Sequence, residues 1–359
     1  MTVGVAAAGS GGHVYPALAV AEALLTHGVS RDDIVFFGGD RIEATVIPEA
    51  GYPFVHVEIH GIRRSLSLDN LVLPMKVRRA RKVIAEAIEA RHIASMVVFG
   101  GYVSGPAALA ARQQGIPLVV HEANAVPGVA NRLIAGRADA VFAAFAPALD
   151  KLPMAQIVGN PLRSAFSRFD RTALRAEART RYGVDQDAMV LAVVGGSLGA
   201  SALNELAREM ASSRDRTFHI IHVTGPMHID KLSQEAASVD RWVVSGYEHD
   251  MPLLYAAADL VLARGGALTV AELHATQTPA IIVPLPAGRR YQALNAADAE
   301  SAGGVVVIDQ SDSKAILETV NALLSDRYRL EEMSASLANS PHRGAAEAVA
   351  DRVLEVQRA

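Results

Sequence analysis

A chain of 359 residues is long for one hydrophobic core and suits two domains of ordinary size. Half of its residues are hydrophobic and a fifth are charged, which places it among globular proteins and excludes a disordered chain. The formal net charge of −4 argues against a general nucleic-acid binder, and the absence of cysteine excludes disulfides, thiolate-bound metals and a cysteine nucleophile.

The chain opens directly into a strand-like run with no basic leader and no cleavage site, so the cytosol is the expected compartment. No apolar run reaches the roughly 18 residues of a membrane span. In chain order the first half reads as strand 3–8, helix 16–27, strand 33–38 and strand 54–58. A basic, apolar segment at 61–82 follows, then strand 95–99, helix 105–114, strand 117–121, helix 127–136 and strand 139–143. Pro16 suits the first turn of its helix and Gly28 its stop.

Val158–Arg163, punctuated by Gly159 and Pro161, reads as a hinge. Beyond it the pattern predicts helix 171–182, strand 189–194, helix 200–211, strand 217–223, strand 241–245 and helix 251–257. Strand 259–263, helix 269–275, strand 279–283, helix 291–302 and strand 304–308 come next, and helices 313–325, 327–338 and 343–357 close the chain. Strands alternating with helices predict α/β architecture: two doubly wound parallel sheets.

Two glycine-rich loops each follow a predicted strand and lead into a helix. They are Gly9–His13 and Gly195–Ala200. Such turns let a ligand approach backbone amides at the positive end of a helix, where phosphate is held well. Four more segments rich in small or polar residues fall at strand ends: Gly100–Pro106, His121–Asn124, Arg264–Glu272 and Gln292–Ala296. Ligands of open α/β sheets bind beyond the carboxyl ends of the strands, so six such loops predict a site rather than a set of tight turns.

A dinucleotide fingerprint fits poorly, because Val14 stands where the third glycine belongs, and no Walker A sequence occurs. Asp185 and Asp187 could suggest a metal–diphosphate site, but they precede their strand and read as a solvated turn.

The run Gly9-Ser10-Gly11-Gly12-His13-Val14-Tyr15-Pro16-Ala17-Leu18-Ala19-Val20-Ala21 resembles the amino-terminal motif of the MurG family, the peptidoglycan N-acetylglucosaminyltransferases. Gly100–Pro106, His121–Asn124 with Pro127-Gly128, Val158–Arg163, Gly195–Ala200, Asp250-Met251, Arg264–Glu272 and Gln292–Ala296 continue that likeness in order along nearly the whole chain. The resemblance implies the GT-B fold, two Rossmann-like domains facing a central cleft, with the last helix crossing back to the first domain. It implies an acceptor and membrane-facing domain at 1–162 plus 340–359, and a donor-binding domain at 163–339. It also implies an inverting enzyme that moves N-acetylglucosamine from UDP-N-acetylglucosamine to undecaprenyl-linked lipid I, giving lipid II for cell-wall biogenesis, cell shape and division. The expected location is the cytoplasmic face of the cell membrane, peripherally bound, and neither metal nor cofactor is expected.

Carried over residue by residue, the donor stretch is Ala267, Leu268, Thr269, Val270, Ala271 and Glu272, with Glu272 facing the ribose hydroxyls. Ser197 and its loop amides are expected on the diphosphate, Gln292 and Asn295 on the sugar hydroxyls, Arg163 on the uridine and Asn124 on the transferred sugar. Arg264 reads equally as a structural ion-pair partner. Ser10, Gly11 and Gly12 line the acceptor side. His13, placed before a helix N-terminus that favours neutral imidazole, is the expected base for the acceptor hydroxyl, and Glu122 is the alternative. Amides and helix N-termini can meet the charge growing on the leaving UDP.

Between 61 and 82, Arg63, Arg64, Lys76, Arg78, Arg79, Arg81 and Lys82 surround Leu66, Leu68, Leu71, Val72, Leu73, Pro74 and Met75. A cationic rim about an apolar patch suits an anionic membrane surface. Within it, 76–91 also reads as an amphipathic helix with Val77, Ala80, Ile84, Ala87 and Ile88 on its core face. Three positions depart from the family pattern: Ala8 for glycine with Ser10 for threonine, Leu198 for glutamine, and Glu248 for an apolar residue. Two rival readings are a UDP-N-acetylglucosamine 2-epimerase, which shares the architecture, and a non-catalytic UDP-sugar-binding relative.

Overall fold

Along the first strand, Val3, Val5 and Ala7 join one buried apolar cluster while Ala6 and Ala8 join another. Val97 and Phe99 part from Met96 and Val98 in the same way, and Val119 from Leu118 and Val120. Strands buried on both faces belong to a sheet covered by helices on both sides, which is where parallel pairing is stable. A computed structural model, which describes residues 1–59, 73–286 and 291–358, shows two such sheets.

The chain divides into two units, Met1–Ser167 with Pro341–Ala359, and Arg168–Ser340. In the first unit the order is β1 (Thr2–Ala6), α1 (Gly11–Thr26), β2 (Ile34–Gly38), α2 (Glu43–Glu49), β3 (Phe54–His56), α3 (Leu73–Ala90) and β4 (Ile93–Val98). Then come α4 (Ser104–Gln113), β5 (Leu118–Glu122), α5 (Val129–Ile134), β6 (Ala140–Ala143), β7 (Gln156–Ile157) and α6 (Ser164–Ser167). The sheet is parallel, in the order β3-β2-β1-β4-β5-β6-β7.

The second unit holds α7 (Arg171–Arg181), β8 (Val190–Val194), α8 (Ser201–Ser212), β9 (His219–Val223), α9 (Ile229–Ala236), β10 (Trp242–Ser245) and α10 (Met251–Ala257). It continues with β11 (Leu260–Ala263), α11 (Ala267–Ala275), β12 (Ala280–Ile282), α12 (Tyr291–Ser301), β13 (Val305–Val307), α13 (Ser313–Leu324) and α14 (Arg327–Ser336). Its parallel sheet runs β10-β9-β8-β11-β12-β13. The last helix, α15 (Ala345–Val356), returns to the first unit, where Val349, Ala350 and Val353 are fully buried in the cluster that includes α1.

Three features differ from the sequence expectation. Helix α1 starts at Gly11, not at 16, so Pro16 lies inside it and His13 in its first turn. Val14 and Pro16 to Ala21 are all buried, so the helix shows no polar stripe by which to find its start. Helices α2 and α9 occupy segments the periodicity left unassigned. Val158–Arg163, expected as a hinge, lies inside the first unit: His342 Nδ1 accepts from the Asn160 amide at 2.7 Å, and His121 Nε2 reaches the Gly159 carbonyl at 2.9 Å.

The amphipathic reading of α3 holds, with Ala80, Ile84 and Ile88 buried and Val77 and Ala87 packed against the same core. Residues 61–72 of the basic segment, including Arg63 and Arg64, lie outside the described residues. Asp185 is exposed in its turn, whose carbonyls at Asp185 and Gln186 are held by the buried Arg179 guanidinium.

Candidate active site

In each unit the strand order reverses once, between β1 and β4 and between β8 and β11. The crevice beyond the carboxyl ends of such a pair is where doubly wound sheets bind ligands. The loops that leave these four strands are those of Gly9–His13, Gly100–Pro106, Gly195–Ala200 and Arg264–Glu272. The sequence therefore sets its glycine-rich segments at the two topological switch points.

In the first unit, Ser10 is the N-cap of α1, and Gly11, Gly12 and His13 form its first turn. No side chain caps this helix end, so its leading amides remain available to an anion or hydroxyl. His13 Nδ1 lies 3.2 Å from the Ala8 carbonyl and 3.5 Å from Ser10 Oγ. A carbonyl only accepts, so Nδ1 carries the proton and Nε2 keeps its lone pair. Burial pushes the His13 pKa below its ordinary value, outweighing the Glu122 charge, the Ala8 carbonyl and the weaker effect of Glu43. The Nε2 side faces Gly100, where an added Cβ would stand 3.0 Å from it and 3.6 Å from Asn131 Nδ2. Gly100 sits at φ +101°, a conformation that favours glycine, and so leaves the imidazole room.

Glu122 ends β5 and is buried. Its Oε1 accepts from the Asn124 amide at 2.9 Å and from Asn124 Nδ2 at 3.4 Å. Its Oε2 accepts from the Gly128 amide at 3.0 Å and from Asn131 Nδ2 at 2.9 Å. Both oxygens are thereby engaged in folding the loop into α5. The structure brings His13, Glu122 and Asn131 together, and Asn124 takes its place through the Glu122 carboxylate.

A second buried carboxylate, Glu43 on α2, was missed from the sequence. Its Oε2 accepts from the Gly9 amide at 3.0 Å. Its Oε1 accepts from the Gly39 amide at 3.1 Å and from the Tyr102 hydroxyl at 2.5 Å. Burial opposes its ionisation, but these three donors prevail and hold its pKa below the ordinary value. The signal was an acid just past the carboxyl end of β2, on the side of the sheet where the glycine-rich loops lie.

In the second unit, α8 and α11 also begin without a capping side chain, whereas α7, α10, α13 and α14 are each capped by an aspartate. Ser197 is exposed in the loop before α8. Gly199 sits at φ +77°, and a Cβ there would lie 2.1 Å from the Thr224 carbonyl, so the loop can close on β9 only with glycine at that position. Asn204 of α8 fastens the same carbonyl at 3.0 Å and meets the buried His222 Nε2 at 2.9 Å.

Ala267 to Glu272 form the first turns of α11, with Leu268, Thr269 and Glu272 partly exposed and Ala267, Val270 and Ala271 buried. Glu272 Oε2 accepts from the buried Tyr255 hydroxyl at 3.0 Å. Gln292 Oε1 accepts from the Leu285 amide at 3.0 Å, and Asn295 Nδ2 donates to the Gly265 carbonyl at 3.0 Å. Gln292 thus holds the loop that follows β12, and Asn295 the backbone just before α11.

Arg264 donates to the Val283 and Pro284 carbonyls and to Gln310 Oε1, so neutral oxygens rather than a carboxylate receive its guanidinium. Arg163 lies in the first unit, its guanidinium 5.6 Å from the Tyr15 ring centre and 5.7 Å from that of Phe166. Of the departures, Ala8 buries its methyl in the core, and Leu198 is exposed at 74%. Glu248 turns inward, accepting from Arg181 at 2.9 Å, from the Tyr182 hydroxyl at 2.7 Å and from the Asp250 amide at 2.8 Å.

Residues 3–143 match the glycosyltransferase family 28 N-terminal domain, and residues 190–349 match the glycosyltransferase family 28 C-terminal domain. The UDP-N-acetylglucosamine–N-acetylmuramyl-(pentapeptide) pyrophosphoryl-undecaprenol N-acetylglucosamine transferase of Mycobacterium sp. (strain KMS) is 42% identical over 365 residues, covering 100% of this chain and 96% of that protein. Its namesake in Rhodococcus opacus (strain B4) is 40% identical, covering 99% of this chain and 96% of that one. The crystal structure of Acinetobacter baumannii MurG superposes with a TM-score of 0.76 at 27% identity, covering 99% of each chain. A UDP-GlcNAc 2-epimerase from Neisseria meningitidis superposes at 0.70 but is 14% identical, a likeness of fold alone. With relatives at this identity over its full length and both family 28 domains in order, the chain belongs to the MurG family of GT-B glycosyltransferases.

Proposed function

We propose that this protein transfers N-acetylglucosamine from UDP-N-acetylglucosamine to the muramoyl sugar of undecaprenyl-pyrophosphoryl lipid I, inverting the anomeric carbon and releasing UDP. Full-length kinship with transferases of that name carries the reading. The geometry supplies its chemistry. His13, with Nε2 unprotonated, takes the proton of the acceptor hydroxyl as that oxygen attacks. In the donor unit, the amides at the starts of α8 and α11 hold the diphosphate and meet the charge developing on UDP. Ser197 and Thr269 add hydroxyls there, and Glu272, steadied by Tyr255, accepts from the ribose hydroxyls. Gln292 with Asn295 serves the sugar hydroxyls, Asn124 the transferred sugar, and Arg163 the uridine. Residues 1–167 with 341–359 form the acceptor unit, and residues 168–340 the donor unit.

The decisive assay follows UDP release and sugar products from UDP-N-acetylglucosamine with and without a lipid I analogue. Release that requires the acceptor supports the transferase. Free epimer supports an isomerase, and binding without turnover a non-catalytic relative; either would overturn the reading.

Among the described residues no helix is long and apolar enough to cross a membrane. We further infer peripheral binding to the anionic cytoplasmic membrane face through 61–82. Met75 is exposed at 59%, and it shares a groove between α3 and α4 with Arg78, Arg79, Arg81 and Lys82. Each cation near an anionic surface contributes about 1 kcal/mol, so neutralising Lys76, Arg78 and Arg79 to glutamine should weaken vesicle binding roughly 100-fold. Flotation with anionic vesicles checks this; unaltered binding sinks the assignment.

A further inference from the structure

The Glu43 carboxylate has no place in the transfer chemistry, yet it is fully buried beneath the acceptor loop and gathers donors from three separate strand ends. Its bond to the Gly9 amide bears on His13 through one peptide plane. The Ala8–Gly9 peptide is trans, so its N–H and C=O point in opposite directions. The N–H is taken by Glu43 Oε2 at 3.0 Å, and the C=O therefore turns the other way, to His13 Nδ1 at 3.2 Å.

We propose that Glu43 is a positioning residue for His13: through the Ala8–Gly9 peptide it fixes the imidazole as the Nδ1–H tautomer and leaves Nε2 as the proton acceptor. The arrangement does for this imidazole what a directly bonded carboxylate does in a hydrolase triad, with a peptide group interposed. Tyr102 and the Gly39 amide hold the other carboxylate oxygen, so Glu43 cannot turn away from Gly9 without abandoning two donors. Rotation of the peptide would leave the buried carboxylate short of a donor, which penalises any other loop conformation.

The catalytic consequence rests on the reading of His13 as base, but the tautomer can be observed without turnover. In ¹⁵N-histidine-labelled protein, the imidazole resonances of His13 are identified by their loss in His13→Ala. The wild type should show a protonated Nδ1 and a bare Nε2, and Glu43→Gln a mixture of tautomers. The same variant should lose roughly tenfold or more in kcat while KM for UDP-N-acetylglucosamine stays within about twofold. An unchanged His13 tautomer in Glu43→Gln overturns the proposal whatever the rate does. A changed tautomer with full turnover upholds the link to Glu43 and removes His13 as the base. Should Glu43→Gln fail to fold, Glu43→Asp keeps the charge but is too short to hold both amides. It should give the same mixture, and an unaltered spectrum there overturns the proposal equally.

Discussion

Asn131 Nδ2 stands 2.9 Å from Glu122 Oε2, and this bond ties α5 to the last residue of β5. Glu122→Gln would turn an NH2 toward groups that themselves donate. The expected result is a loss of about 1–3 kcal/mol in stability, read as a lower urea midpoint. Unchanged stability would show that Glu122 does not organise the loop and would restore it as a candidate base.

His13→Ala should lower turnover by roughly 10²- to 10⁴-fold with acceptor present and leave UDP-N-acetylglucosamine binding intact. Because burial depresses the His13 pKa, the neutral base persists below the usual imidazole range. The acid limb of kcat/KM should therefore fall below pH 6.5, the ordinary histidine value. Glu122 and Glu43 raise this pKa, so removing either charge should move the limb further toward acid. Near-normal turnover in folded His13→Ala removes the assignment.

Glu272 and Tyr255 predict a graded series. Glu272→Gln weakens a charged acceptor for the ribose and should raise the donor KM about 10- to 100-fold. Tyr255→Phe keeps the carboxylate and loses one hydrogen bond, so a rise of about fivefold is expected. Donor titration by calorimetry tests the order; equal effects would contradict the supporting role of Tyr255.

Acid should weaken both units. Burial lowers His121 in the first unit and His222 in the second to about 4, from an ordinary 6.5. Each proton is thus bound by the unfolded chain first, and stability falls as pH drops from about 6.5 toward 4. Each group contributes on the order of 3 kcal/mol across that window. His222→Gln, which can still donate to Asn204, should flatten the slope for the second unit in urea titrations at several pH values. An unaltered slope would show that His222 titrates normally.

Much of this architecture is written locally. Near-continuous apolar runs at β1, β4 and β5 announce strands buried on both faces, and the glycine loops mark the switch points. The start of α1 was hidden because a helix buried on all sides carries no stripe. Glu43 was hidden for a different reason. Its role depends on Gly9, Gly39 and Tyr102, the last 59 residues away, and on a short helix with Pro48 near its end and three β-branched residues in its middle. Glu248 likewise looked like a misplaced charge until Arg181 and Tyr182 were seen to receive it. Strand patterns are local facts, whereas the partner of a buried acid is a property of the fold.

The return of α15 has a consequence for how the protein is made. The first sheet emerges first from the ribosome, yet its cluster lacks Ala346, Val349, Ala350, Val353 and Leu354 until nearly the whole chain has been synthesised. The donor unit is complete at Ser340, so a released chain that ends before 345 holds all of the second unit and only part of the first. Such a chain should carry a closed second unit and, on the first, leave open the face of α1 that α15 covers.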